Sequence, residues 1–293
     1  MPFTSLDDIV SEITNGKFRR IDWNKITGAS ALTAGRWYDF SQFGGTPVAN
    51  AYAGTALAWT SCNELAGNGT QIFGMQHAGN VSPDTKHCMN VSAVSAVATA
   101  VPSVLMLADI QGYYPGISMN LATAQTLTGT PTLRYANGVG VLPFLSVTTA
   151  TGATAHNVAL SYTNQAAVAG RALAQTVACT ASAIAAHITH TGTAANNFGP
   201  FLPLAGGDTG VQSAQSVTIS AASGAGVAAL VFARPLLTLP MTTIGVAAER
   251  DLLNQIPSLP RVYDGACLQW LMYAGAATPV TSAFYGHLDF GWG

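Results

Sequence analysis

The chain has 293 residues and a net charge of −2, and only 8% of it is Asp, Glu, Lys or Arg, against about 25% in an ordinary soluble domain. So neutral a chain presents no general field to draw in nucleic acid or an acidic membrane surface, which argues against both as partners. With 49% hydrophobic residues and a mean hydropathy of +0.31, it is expected to cover part of its surface with other subunits, because exposed apolar patches associate.

In chain order, the first residues lack the basic and then apolar run of a secretory signal. Ser5 to Ile13 predicts a short helix, with Ser5 as N-cap, Asp7 and Asp8 in the first turn, Leu6, Ile9, Val10 and Ile13 on one stripe, and Gly16 as the stop. Lys17-Phe18-Arg19-Arg20 follows as the densest basic cluster, ahead of Asp22-Trp23. Residues 1–27 therefore read either as an arm that docks on an acidic neighbour or as a solvated face beside a docked Trp23.

From Gly28 onward short apolar stretches alternate with Gly, Pro, Asn and Thr, which favours an all-β class. Gly35–Phe40 reads as a strand entering the loop Gly44–Pro47, and Leu57-Ala58-Trp59 as the start of another. Cys88 to Ala108 is free of charge, but Asn90, Ser92, Ser95, Ser103 and Pro102 speak against a membrane helix. Val101–Ile110 suits a strand buried on both faces, and Gly112-Tyr113-Tyr114-Pro115-Gly116 predicts a turn. A Gly-rich turn before an apolar run occurs at residues 138–147 and again at 224–234, an echo that supports a repeated turn-and-strand type.

Val158–Thr163 and Arg171–Cys179 are read as strands, with 172–190 open between helix and strand. Phe198–Leu204 holds two prolines and is expected at an edge or in a rim loop. The clearest signal is Val211–Pro240: Ser216–Ser220 alternates at period 2, Gly224 and Gly226 mark a turn, and Val227–Phe232 is a second apolar run, together predicting a hairpin. Glu249–Ile256 reads as a helix stopped by Pro257, and Cys267–Tyr273 and Tyr285–Trp292 as two last strands. The expected architecture is all-β, a large β-sandwich or two jelly-roll-like lobes, behind a short N-terminal helical arm. The β region is taken as residues 28–293, with a division near 130 if there are two lobes.

No GxSxG elbow and no GxxxxGK[ST] loop is present, and Gly224 and Gly226 lead into a strand instead of the helix that phosphate binding needs. The four cysteines are far apart, so buried thiols are expected, with a Cys62–Cys88 bridge only if their strands meet. His187 and His190 would share a face only on a helix and lack a third ligand nearby, and His77 and His87 read as loop residues. Asp109, Asp264 and Asp289 are expected to bond turns or to pair with Arg134, Arg234 or Arg261 more than to converge as a catalytic pair. Trp37, Trp59, Trp270 and Trp292 read as packing residues before a sugar platform. No catalytic residue, metal ligand or cofactor is assigned. The residues singled out for an interface are Lys17, Phe18, Arg19, Arg20, Trp23, Phe201, Leu202 and Trp292.

The stretches YTNQAAVAGR at 162–171, GPFLPLAGGDTGVQSAQSVTIS at 199–220, LNQIPSLPRVYDGACLQW at 253–270 and FYGHLDFGWG at 284–293 resemble virion structural proteins of tailed bacteriophages. The resemblance lies mainly in the C-terminal half and carries no diagnostic motif. It implies a non-enzymatic capsid decoration or cement protein on the outer capsid surface, with itself and a major capsid protein as partners. A tail or baseplate component and a carbohydrate-binding β-sandwich are the alternatives.

Overall fold

The computed structural model describes residues 3–64, 74–179, 182–186, 199–255 and 259–293. The expected N-terminal helix forms as α1, Leu6–Thr14. Ser5 Oγ accepts from the Asp8 N–H at 3.1 Å, and Gly16 takes φ +84° just past the C-cap, so both ends are closed by the residues that mark them in the sequence.

The remainder is all-β, with every strand ladder antiparallel. The first sheet is built on β1 (Phe18–Ile26), β3 (Gly44–Thr46), β5 (Lys86–Ser95), β14 (Ala248–Asp251) and β17 (Ala283–Trp292), in the order β14-β5-β17-β1-β3, and β15 (Arg261–Val262) also pairs with β5. The second runs β10 (Arg171–Ala172), β9 (His156–Asn164), β12 (Val211–Ile219), β7 (Ala124–Thr126), with β11 (Val177–Cys179) also on β9. The third runs β2 (Arg36–Asp39), β16 (Leu268–Ala274), β6 (Ser103–Ser118), β13 (Val227–Met241), β8 (Leu142–Thr149), with β4 (Thr60–Ser61) also on β6.

The third sheet is shared. Its β6 and β13 are 16 and 15 residues long, well past the usual five or six, and different parts of them feed different cores. Leu105, Leu107, Leu237, Leu239, Trp270 and Met272 pack with Trp23, Val91, Leu288 and Phe290 of the first sheet. Tyr114, Ile117, Leu145, Leu230 and Phe232 pack with Val158, Leu160, Val217 and Ile219 of the second. A third cluster, with Ile110, Tyr113, Phe144, Val231 and Leu271, includes Cys62 and Cys267. The buried residues of the first core lie before 108 and after 236, apart from Ala185 and Ala186, and those of the second lie within 114–232, with the partly buried Leu57 and Trp59 packed against them. The boundary between them crosses the middle of β6 and β13, not a point in sequence near residue 130.

Several expectations are corrected. Residues 211–240 do not form a hairpin: β12 joins β9 and β7, while β13 joins β6 and β8. Their apolar residues face each other across the second core instead of bonding edge to edge, because each strand finds another partner. Gly112–Gly116 is no turn but lies inside β6. A Cβ at Gly112 would collide with the Trp59 indole, so that glycine serves a close approach, and Gly116 at φ +74° sits where the ladder to β13 slips.

Residues 18–26 are not a free arm. They pair along β17 from Phe18↔Gly291 to Ile26↔Ala283 and take β3 on the other side. Glu249–Asp251 is strand, paired with β5, and the helix expected there shrinks to α2, Leu252–Gln255, entered through hydrogen bonds from Leu253 N and Asn254 N to Asp251 Oδ1. The strand read at 171–179 is realised only at its two ends. His187, His190, Phe198 and the rest of the ambiguous 172–190 stretch beyond 186, with 180 and 181, lie outside the described residues. The two Gly-rich turns of the internal echo lead into β8 and β13, which pair with each other.

Candidate functional site

The burial of strand β1 alternates from Ile21 on, while Phe18, Arg19 and Arg20 are all exposed. Trp23 and Lys25 point inward, while Phe18, Arg20, Asp22, Asn24 and Ile26 are exposed on the outer face. Across the ladder this face is polar: Arg20 clamps Asp289 of β17 through Nε and Nη2, both 2.7 Å; the Asn90 amide of β5 donates to Glu249 of β14 at 2.7 Å; and Ser92 Oγ meets His287 Nδ1 at 2.7 Å. Lys17 is held between Glu12 and Asp84, 2.8 Å from each, which together raise its pKa. Phe18 is 38% and Tyr285 47% exposed. On α1, Ile9 packs down while Leu6 and Val10, one turn apart, are 68% and 64% exposed.

Of the residues singled out in the sequence, Lys17, Phe18, Arg19, Arg20 and Trp292 are brought together at this end of β1 and β17, where the Trp292 N–H donates to Lys17 O. Trp23, Phe201 and Leu202 belong elsewhere. Trp23 is buried against Trp270, ring centroids 5.0 Å apart. Phe201 packs on Phe144 in the third cluster and Leu202 is buried in the second core. Apolar burial inside the chain uses up the surface those three would offer a partner.

An open cleft of about 560 Å³ lies beside β1, lined by Arg19, Arg20, Ile21 and Asp22 on one side and by Thr46–Val48 and Gly74–Gln76 on the other. Among the described residues that line it, Asp22 is the only acid and none is aromatic.

The polar chemistry of the molecule is concentrated in buried networks. Asp109 accepts from Arg134 through Nε and Nη2 and from Cys267 N at 2.9 Å, and Arg134 also bonds Cys62 O and Ile110 O. This is one of the pairings expected from the sequence, whereas Asp289 pairs with Arg20 and Asp264 with Val81 N and Lys86. Asp39 accepts from Ser41 N, Tyr52 Oη and Ser146 Oγ. Lys25, fully buried, donates to Phe43 O and Pro47 O, and burial lowers its pKa to about 8 despite Asp39. Lys86 donates to His77 Nδ1 at 2.9 Å and to Gly79 O, with Asp264 at 3.6 Å; His77 Nε2 sits 2.8 Å from Ala266 O and 3.4 Å from Glu64. Burial, then the Lys86 ammonium, push the His77 pKa down.

At Asp208, burial raises the pKa, but hydrogen bonds from Tyr162, Arg171 and Asn164 outweigh it and hold the carboxyl at about 2. In the Asp39, Asp109 and Asp208 networks the carboxylates accept from structural donors, whereas the buried Oε2 of Glu64 has no hydrogen-bond partner among the described residues. Among the described residues no group of three or more His, Cys, Asp or Glu side chains is placed to hold a metal ion. The Glu64–His77–Lys86 cluster escaped the sequence reading because nothing in the spacing of its members marks them as neighbours.

No family model matches the chain and no curated protein matches it significantly. Among solved structures, it is similar to the VP2 subviral particle of infectious bursal disease virus at 10% identity and a TM-score of 0.21, over 94% of this chain and 80% of that one. The Gt strain of the same virus gives 12% identity, a TM-score of 0.19 and coverages of 94% and 81%, and its T=1 particles 12%, 0.18, 94% and 78%. Likenesses this weak do not establish a common fold.

Proposed function

We propose that this chain is a non-enzymatic structural subunit of a virion, which binds copies of itself and decorates or cements a capsid surface. The observation that carries the reading is the outer side of the N-terminal elements. In a chain with so few charges, α1 exposes Leu6 and Val10 and the start of β1 exposes Phe18, Arg19 and the Arg20 that pairs with Asp289, the mix of apolar anchors and arginines that interfaces favour. Lys17, Phe18, Arg19, Arg20 and Trp292 form the contact region, with α1 at its edge.

The carboxylates of Asp39, Asp109 and Asp208 support the non-enzymatic part of the reading, because they are committed to the fold. Removing residues 1–27 would tear β1 out of the first sheet, so the test is made on side chains. The wild-type chain is mixed with assembled capsids, and its sedimentation with them is compared with that of Leu6→Ser/Val10→Ser/Phe18→Ser. Saturable binding by the wild type and its loss in the variant, with unchanged circular dichroism, is the expected result. A wild type that stays monomeric at all concentrations and ignores capsids would refute the reading.

A further inference from the structure

Cys62 and Cys267 are 205 positions apart in sequence, yet β6 seats them side by side. Strand β4 pairs with β6 at Thr60↔Tyr113 and Ser61↔Gly112, and its continuation places the Cys62 N–H on Gln111 O at 3.0 Å. Strand β16 pairs with the earlier part of β6, beginning at Leu268↔Asp109, and just before it Cys267 O accepts from Ile110 N at 2.9 Å. The two cysteines thus bond to adjacent residues of one strand from the same edge, where the end of β4 meets the start of β16. Both are free thiols buried in the third apolar cluster.

The backbone around them is held on both sides. Arg134 Nη1 donates to Cys62 O, and Cys267 N donates to Asp109, which Arg134 also clamps. The other two cysteines have different surroundings: Cys88 sits in the first core with its thiol toward Asn90 O, and Cys179 lies in the second core beside Ser182. The Cys62–Cys88 bridge considered from sequence therefore has no geometric basis, and Cys267 takes the place of Cys88.

We infer that Cys62 and Cys267 are a cross-linking site, which a low-molecular-weight disulfide converts to an intramolecular disulfide joining the end of β4 to the start of β16. One protein thiolate attacks oxidised glutathione and releases one glutathione thiolate; the second attacks the mixed disulfide and releases the other. Two protein thiols are oxidised and one glutathione disulfide is reduced to two thiols, the two protons lost by the protein being taken up by the departing glutathione thiolates. The contact with Cys62, followed by burial, holds the Cys267 thiol far from ionisation in the folded chain, so the exchange takes place while the segment is open, during folding.

The test uses the full chain, refolded from urea in a buffer of reduced and oxidised glutathione and, in parallel, produced in cells with an oxidising cytosol. The expected product has lost two hydrogens, yields a non-reduced digest in which the Cys62 and Cys267 peptides are joined, and unfolds at higher urea than the reduced chain. Cys62→Ser and Cys267→Ser each abolish the joined peptide, whereas Cys88→Ser retains it. Four alkylatable thiols in the folded product of both preparations, or Cys62 joined to Cys88 or Cys179, would overturn the inference. It does not depend on what the chain assembles with.

Discussion

The core between the first and third sheets is larger than the core between the second and third, and the two treat charge differently. Around the first lie Lys25, Lys86, His77, Glu64 and Asp39, all buried. The strands of the second sheet contribute one charged residue, Arg171, and it stays at the rim with Asp208. Apolar packing gains free energy that hardly depends on pH, whereas a buried ionisable group ties folding to its own protonation. The first core should therefore answer to pH between 5 and 9 more than the second, where Asp208 stays ionised down to about 2.

The sharpest break in that contrast is made where the two meet, on β6. Arg134→Met leaves the Asp109 carboxylate buried without its counter-charge, and urea denaturation should show a loss of about 3–5 kcal/mol. In the second core, Leu230→Ala removes a fully buried side chain and should cost about 2–5 kcal/mol. That loss should be the same at pH 5 and pH 9, and a marked pH dependence would contradict the division of labour.

Lys25 sharpens the other side. Its pKa of about 8 lies below the ordinary 10.5, so between those values the unfolded chain holds more protons than the native one. Stability should rise through that window by about 3 kcal/mol, and Lys25→Met should flatten the rise. His77 gives the smallest effect and acts in acid. With its native pKa below 6.5, stability is complete above 6.5 and falls as pH drops below it, since protonation sets a second cation against Lys86. Chemical denaturation of His77→Gln between pH 7 and 5 should lack that fall.

What could be read in the sequence was local. Ser5 and Gly16 bracket α1 because a cap needs only neighbours, and β9 and β17 announce themselves by alternation. Gly112 and Gly226 look alike on paper, but one lets Trp59 approach β6 and the other, at φ +109°, bends the chain from β12 toward β13. Alternation tells a strand which face is buried and not which strand it will bond, so residues 211–240 pass for a hairpin. Strand β1 was hidden by Arg19-Arg20 and by an inward lysine. At the contact region the same limit applied: the basic cluster was visible, while the burial of Trp23, Phe201 and Leu202 follows from residues far along the chain.

Strands β6 and β13 are hydrogen-bonded to each other from Ser103↔Met241 to Ser118↔Val227, and they pass through both packing units without a linker. A pull applied to one unit is therefore carried to the other along two parallel tie rods, loaded in shear over many hydrogen bonds at once. No flexible joint absorbs it, and a shell built from such units would flex between its subunits before it flexed within them.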